Sequence, residues 1–548
     1  MNHFRKGNFN FIVFVGIVLG LSLMMGMIIS SCSALRDGGA VIKSVDQLNI
    51  VPTIDQVGAG QLPAEIAPIK APFKMPQLRK PTFADYSLDI RSLGAKEGAK
   101  VTAKIQKCID VTSERGGGKV IIPKGKWYTG RISLKSNVNL HLEAGAELTF
   151  SGDVADYRPA VFTRNEGVEV MSLGACIYAN GQENIAITGK GKLIGPAKGG
   201  SVRKQVMESD VIENFVDLDQ PVRKRVYEGY NGSPIFLPMF ISPINCKEVF
   251  IEGITLENTA FWNIVPVYCD GVIIRGITVN SVGIPRGDGI DVESSRNVLI
   301  EYSTLSCGDD CFTIKAGRGL DGLRVNKPSE NIVVRYCLAR EGHGGVTVGS
   351  ETAGMIRNLS VQDCVFDNTG IGIRFKTRRP RGGGGEHLYY QRIRMRLNGT
   401  AFKWDMLGSP TYVGDLAKRL PARPVTKRTP VFRNISARNI IVESSSQFIG
   451  ITGIPESPLK NVRIENAQIK SDKLFKASDV DGLTVRNVQI ESMDSVLSLL
   501  GAKNILFDNV SFQGTGRKLE VKFPGGHPGD LIFKNCQPAQ FWRVAPQH

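Results

Sequence analysis

Acidic side chains are in short supply in this sequence of 548 residues, where 52 Asp and Glu stand against 68 Lys and Arg for a formal net charge of +16. That excess suits a polyanionic partner: nucleic acid, anionic lipid or acidic polysaccharide. Aromatics are few at 7%, yet 42% of residues are hydrophobic and 22% charged, which excludes a chain disordered over most of its length. Hairpin signals of the Asn-Gly type between paired apolar runs are scarce, which weighs against a flat sandwich. The ten cysteines are scattered among apolar runs, and setting Cys32 aside leaves an odd number. Buried free thiols are therefore expected rather than a disulfide framework, with Cys307 and Cys311 the pair of interest.

The one long apolar run lies at the start. Arg5 and Lys6 precede residues 9–29, the pattern of a secretory n-region and h-region. It ends Ile29-Ser30-Ser31-Cys32, which resembles the bacterial lipobox. Residues 1–31 are thus expected to be a lipoprotein signal peptide and Cys32 the lipidated mature N-terminus, with an uncleaved anchor as the alternative. Export makes nucleic acid an unexpected partner and leaves an acidic glycan. The absence of an acidic run after Cys32 points to a periplasm-facing or outer-membrane anchor in a Gram-negative envelope. Residues 32–85, rich in Pro, Ala and Gln, read as a tether, and residues 86–548 as one folded body, expected to be monomeric.

Within that body, Ile105, Cys108, Ile109 and Val111 suit an amphipathic helix over 102–115, ended by Gly116-Gly117-Gly118 and serving as a cap. Beyond it, an Asn or Gly immediately precedes an aliphatic residue again and again: at 184, 271, 297, 331, 358, 434, 461, 482 and 504. From 271 to 358 and from 434 to 504 the intervals, 21 to 34 residues, are those of a solenoid coil. Each unit alternates inward aliphatic and outward polar residues, as in Asn461-Val462-Arg463-Ile464-Glu465. Such a unit cannot bury its apolar face alone. The expected fold is all-β, a right-handed parallel β-helix with an N-terminal capping helix and the recurrent Asn stacked at a turn. Two stretches, 199–240 and 377–430, are too long for coil turns and are expected to build or wall a site.

Four polar clusters fall about one coil apart: Asp288, Asp309-Asp310, His343, and Arg374 with Lys376. Alone, each Asp-Gly or Gly-Asp is ordinary turn chemistry, and a lone His is more often structural. Together, at a coil spacing of about 4.8 Å, they are expected to form one line of roughly 14 Å. Three clustered carboxylates repel, so one should hold its proton while another stays ionised, the apparatus of glycoside hydrolysis. Arg374 and Lys376, two apart on a strand, share a face and suit a sugar carboxylate.

Gly287-Asp288-Gly289-Ile290-Asp291, Gly308-Asp309-Asp310-Cys311, Gly342-His343-Gly344 and Ile373-Arg374-Phe375-Lys376 resemble, in order, the four signature segments of glycoside hydrolase family 28, the polygalacturonases. The resemblance implies Asp309 as general acid, Asp288 and Asp310 as the bases that activate water, His343 as a support of the acid, and Arg374 and Lys376 as holders of the substrate carboxylate. It implies inverting hydrolysis of α-1,4-galacturonosyl linkages in pectin or its oligogalacturonides, with no metal and no cofactor. The first segment departs from the usual Asn-Thr-Asp-Gly: Arg286-Gly287 precede Asp288, and Arg286 is expected to contact an acidic sugar. The two long excursions favour exo action. Rhamnogalacturonan or another acidic glycan as substrate, a Ca-dependent pectate lyase on the same fold, and a non-catalytic glycan-binding solenoid are the alternatives.

Overall fold

The computed structural model describes residues 45–207, 212, 220–514, 518–524, 531–538 and 542–544. The signal segment 1–31 and Cys32 lie outside the described residues. The helix expected over 102–115 is present as Thr102–Glu114, with Ile105, Cys108, Ile109 and Thr112 buried against the first coil.

From Ser87–Asp89 onward the chain winds through parallel strands that stack coil upon coil to Leu531–Lys534. The coil is right-handed, as crossovers between parallel strands are. Its interior is a set of aliphatic ladders. One runs Ile241, Ile264, Ile290, Phe312, Val346, Ile373, Phe402, Ile449, each paired with the next across one coil. All of these are buried.

The recurrent turn marker has a backbone cause. Asn184, Asn297, Asn331, Asn358, Asn434, Asn461 and Asn504 have φ between 51 and 57°, and Gly271 and Gly482 have φ of 75 and 89°. Asn and Gly enter this left-handed region at the least cost. The side chains then stack: Asn331 Nδ2 donates to Asn297 Oδ1 (3.2 Å), Asn358 to Asn331 (3.0 Å), and Asn461 to Asn434 (2.7 Å). A second ladder from Asn439 through Asn466 and Asn487 to Asn509 lies along the later coils.

Three expectations are corrected. Residues 45–85 are not a loose tether but part of the same compact unit as the coils, which does not begin near residue 86. In the early coils the outward row Ala186, Phe250, Ile273, Leu299, Val333 is apolar, and Ile66, Ile69, Ala71, Phe73, Met75, Leu78 and Phe83 cover it. Arg275 and Arg335 tie this strap down by donating to the carbonyls of Pro63, Ala67 and Pro68 at 2.9–3.0 Å. The stretch 377–430 is not one excursion, because Gly384–Asp405 is a coil strand with Ile393, Met395 and Leu397 inward. The long departure from the solenoid is residues 406–430, between that strand and Val431–Ser444. Finally, Val161–Asn165 and Val168–Ser172 form an antiparallel hairpin on the side of the coil, turned by Glu166 (φ 45°) and Gly167 (φ 82°). The nine cysteines among the described residues are all buried and unbridged, Cys307 and Cys311 included.

Candidate active site

The strands Ile290–Glu293, Phe312–Lys315, Leu338–Val348 and Ile356–Lys376 lie side by side on successive coils. Asp288 and Asp310 each stand two residues before the paired Ile290 and Phe312, while Asp309 and His343 each stand three before the paired Phe312 and Val346. Arg374 does not share that phase: it pairs with Thr347, which pairs with Thr313 and then Asp291. The expected single line is therefore corrected. Arg374 and Lys376 reach the carboxylates diagonally, by the length of their side chains.

They do reach them. Arg374 Nη1 donates to Asp310 Oδ1 at 3.1 Å, and Lys376 Nζ to Asp310 Oδ2 at 2.7 Å. Oxygens of Asp288, Asp309 and Asp310 lie within 4.8 Å of one another. A Cβ on Gly344 would stand 2.6 Å from Asp310 Oδ1, so glycine at that position makes room for the carboxylate. His343 Nδ1 is 3.0 Å from Asp309 Oδ1, and its side chain is 64% exposed. Arg286 also faces the cavity, but its Nη1 pairs with Glu166 at 3.0 Å.

These contacts divide the protons. Burial, reinforced by Asp291 and Asp309, drives Asp288 well above the usual carboxylate range. For Asp310 burial acts the same way, but Lys376 and Arg374 outweigh it and hold the group strongly ionised. Burial also pushes Asp309 up, and the His343 hydrogen bond more than cancels it, so Asp309 sits low. His343 is raised in turn by Asp309. One carboxyl keeps its proton as expected for clustered anions, but it is Asp288 in this ligand-free arrangement.

Several contributors carried no motif. Lys315 is buried and ties the back of the site together, with Nζ at 3.9 Å from Asp288, 3.6 Å from Asp291 and 3.2 Å from Glu351, and at 4.3 Å over the Trp262 ring. Glu351 also binds Arg318 (3.0 Å) and Arg381 (2.6 Å). Asn263 donates to Asp288 O at 2.8 Å and so sets the turn that presents the carboxylate. A buried Lys in a run such as Phe312-Thr313-Ile314-Lys315 is the signal that would have located the first of these, since an unpaired buried ammonium is costly.

Asp288 and Asp309 open into a cavity of about 370 Å3, with Asp310 fully buried beside them. Glu166 at the hairpin tip and Arg286 line it, as do Arg374, Lys376 and Arg378, and so do Ser409 and Tyr412 beyond the strand Gly384–Asp405. Of the basic residues in 199–240, Arg203 and Arg225 do not face this cavity. They donate to Thr259 O (2.7 Å) and pair with Asp321 (2.9 Å) and thereby anchor the insertion.

Comparison with known proteins agrees with this arrangement. The chain is 27% identical over 383 residues to a probable polygalacturonase of Vitis vinifera, covering 67% of this chain and 71% of that protein. It is 28% identical over 333 residues to the exo-poly-alpha-D-galacturonosidase of Dickeya chrysanthemi, covering 56% and 55%. Among solved structures it is similar to a hyperthermoactive exopolygalacturonase from Thermotoga maritima, with TM-score 0.65, 28% identity, and 80% and 94% of the two chains covered. Residues 229–399, the span that carries Asp288, Asp309, Asp310, His343, Arg374 and Lys376, match the profile of Glycosyl hydrolases family 28. Over this span the chain is similar to that family of glycoside hydrolases, and the comparisons indicate a glycoside hydrolase.

Proposed function

We propose that this protein hydrolyses α-1,4-galacturonosyl linkages of pectic galacturonan, from a chain end. The observation that carries the reading is Asp310 held between Arg374 and Lys376 beside Asp288 and Asp309, at the floor of a cavity whose cations suit a uronate. Exo action is supported by the walls. The Val161–Ser172 hairpin, with Glu166 at its tip, and the segment around Ser409 and Tyr412 both contribute to the cavity lining, and walls on two sides of a half-open pocket favour a terminus over mid-chain entry.

Asp309 and His343 share one proton through their hydrogen bond. In water the charged pair His343⁺–Asp309⁻ is stable. A sugar that covers the half-open pair expels water and favours its neutral form. Asp309 then donates that proton to the glycosidic oxygen as the C1–O bond breaks. The substrate carboxylate engages Arg374 and Lys376 and draws them from Asp310, which raises Asp310's basicity. Asp310, with Asp288 hydrogen-bonded to the same water, takes the water's proton as its oxygen attacks C1. Inversion is what the resemblance to glycoside hydrolase family 28 implies. Oxygen spacings of at most 4.8 Å lie below the roughly 6.5–9.5 Å carboxyl separation common in inverting enzymes. The cations on Asp310 also compete with any metal at the three carboxylates, and a calcium-dependent lyase reading gains no support from this donor set.

Secretion, lipidation at Cys32, a periplasmic or outer-membrane location and a monomeric state belong to the same proposal and rest on the sequence pattern. Metabolic labelling with a fatty acid, lost in Cys32→Ala, tests the anchor. The function itself is tested by a time course on polygalacturonate with chelator present. Saturated monomer or dimer from the first time points is expected, with the anomer inverted by proton NMR. An unsaturated ultraviolet-absorbing product would make it a lyase, and no product a binding protein or a hydrolase of another acidic glycan.

A further inference from the structure

A second cavity, of about 610 Å3, adjoins the first and has Arg318 and Tyr412 in common with it. Its size is that of a small-ligand site. Five guanidiniums line it, those of Arg318, Arg379, Arg381, Arg423 and Arg428, against the single carboxylate of Glu456 among the described lining residues. Glu456 is taken by Arg379 at 2.7 Å, and Glu351 behind the wall serves Arg318 and Arg381. Arg423 is exposed and makes no ion pair with a described residue. Arg428 is half-buried and donates Nε to Pro380 O at 3.2 Å.

A solvated basic surface spreads its charges outward. Here they converge on a concavity, where mutual repulsion destabilises the empty state and a bound anion relieves it. Tyr412, Arg423 and Arg428 come from residues 400–430, beyond the family match at 229–399. The cavity is therefore built in part by residues beyond the matched span, and none of Asp288, Asp309 and Asp310 lines it.

We propose that this cavity is a second binding site for a carboxylated sugar, a galacturonate unit other than the one being cleaved. The Arg423 and Arg428 guanidiniums hold its carboxylate, and the Tyr412 ring, 39% exposed, lies against the sugar. A planar guanidinium fork matches a carboxylate in two parallel hydrogen bonds, which a scattered set of lysines would not. The assignment rests on the galacturonan reading for the identity of the ligand.

The test is calorimetric titration of digalacturonate into the full-length Asp309→Asn protein at low salt, with turnover of polygalacturonate by the unmodified protein measured separately. Two sites are expected. Arg423→Glu with Arg428→Gln should weaken one of them at least tenfold and leave the other, whereas Arg374→Ala should weaken only the other. Should Arg428→Gln disturb folding, Arg423→Glu alone decides, because that side chain is on the surface. A single site, or a second site indifferent to Arg423→Glu, overturns the proposal. So does displacement by inorganic phosphate at concentrations equal to those of digalacturonate, which would make the cavity a site for simple anions. Absent turnover with two sites intact would instead count against the catalytic reading alone.

Discussion

His343 and Asp309 hold one proton between them, and each moves the other's affinity for it: His343 rises and Asp309 falls. Turnover needs that proton, so activity should persist through the ordinary histidine range and fall as pH rises through the raised His343 value, with a midpoint above 6.5. His343→Ala, which leaves the proton to Asp309 alone, should bring the alkaline limb down by about one pH unit or more in a profile of kcat/KM. Asp309→Asn removes the acid itself. A loss of kcat of about 10²–10⁴-fold is expected, with thermal unfolding nearly unchanged, because no buried partner is stranded. Behind these groups, burial pushes the Glu293 carboxyl up to about 7 despite Arg164, and Asp291 likewise up to about 7 despite Lys315 and Thr313. A carboxyl raised on folding stabilises fully below its unfolded pKa and loses that contribution as pH rises through the folded one. Stability should therefore decline from about pH 4.5 to 7, and Glu293→Gln should flatten that slope by up to about 1.4 kcal/mol per pH unit, measured by urea unfolding. Asp288, Asp309, Asp310 and His343 were legible because each lies in a short glycine-bearing segment: Gly287-Asp288-Gly289, Gly308-Asp309-Asp310 and Gly342-His343-Gly344. Lys315 carried only the signal of a Lys closing a strand-like apolar run, and Glu351 and Asn263 carried none, because nothing local distinguishes a residue whose partners lie one or two coils away.

At the scale of the element, coil spacing was readable from Asn331 and its equivalents because a left-handed turn admits few residues. Asn331→Ala forces a Cβ-bearing side chain with no amide into φ 57° and breaks the links to Asn297 and Asn358. A loss of about 1–3 kcal/mol is expected from chemical unfolding, with Asn331→Gly losing less. Phase within the coil was harder to read. Interval lengths placed Arg374 one coil beyond His343, but loops of unequal length separate the strands. Only pairing across the sheet shows that Arg374 stands with Asp291, not with Asp309. The Val161–Ser172 hairpin escaped notice for a similar reason: its Glu166-Gly167 turn is short and its strands resemble coil strands.

Over the whole molecule, the strap decides where the body begins. Its alternate residues, Ile69, Ala71, Phe73 and Met75 among them, cover an outward apolar row on five coils, so what reads as linker composition is half of a packed interface. Phe73→Ala should lower stability by about 2–4 kcal/mol, seen as a lower midpoint in thermal unfolding, whereas a loose tether would give no change. The positive charge also resolves at this scale. Arg203, Arg225 and Arg379 are spent on holding insertions in place, while Arg374, Lys376 and Arg423 face the two cavities.

Sequence alone determined the repeat, the left-handed turns, the capping helix and the candidate carboxylates, because each depends on backbone preference or on a short segment with its own signature. Tertiary structure decided which carboxyl keeps its proton, what Arg374 and Lys376 bind, where the body starts and what walls the site. Those properties arise from groups tens or hundreds of residues apart that meet only when the coils stack, and their energies depend on a burial that no local pattern records.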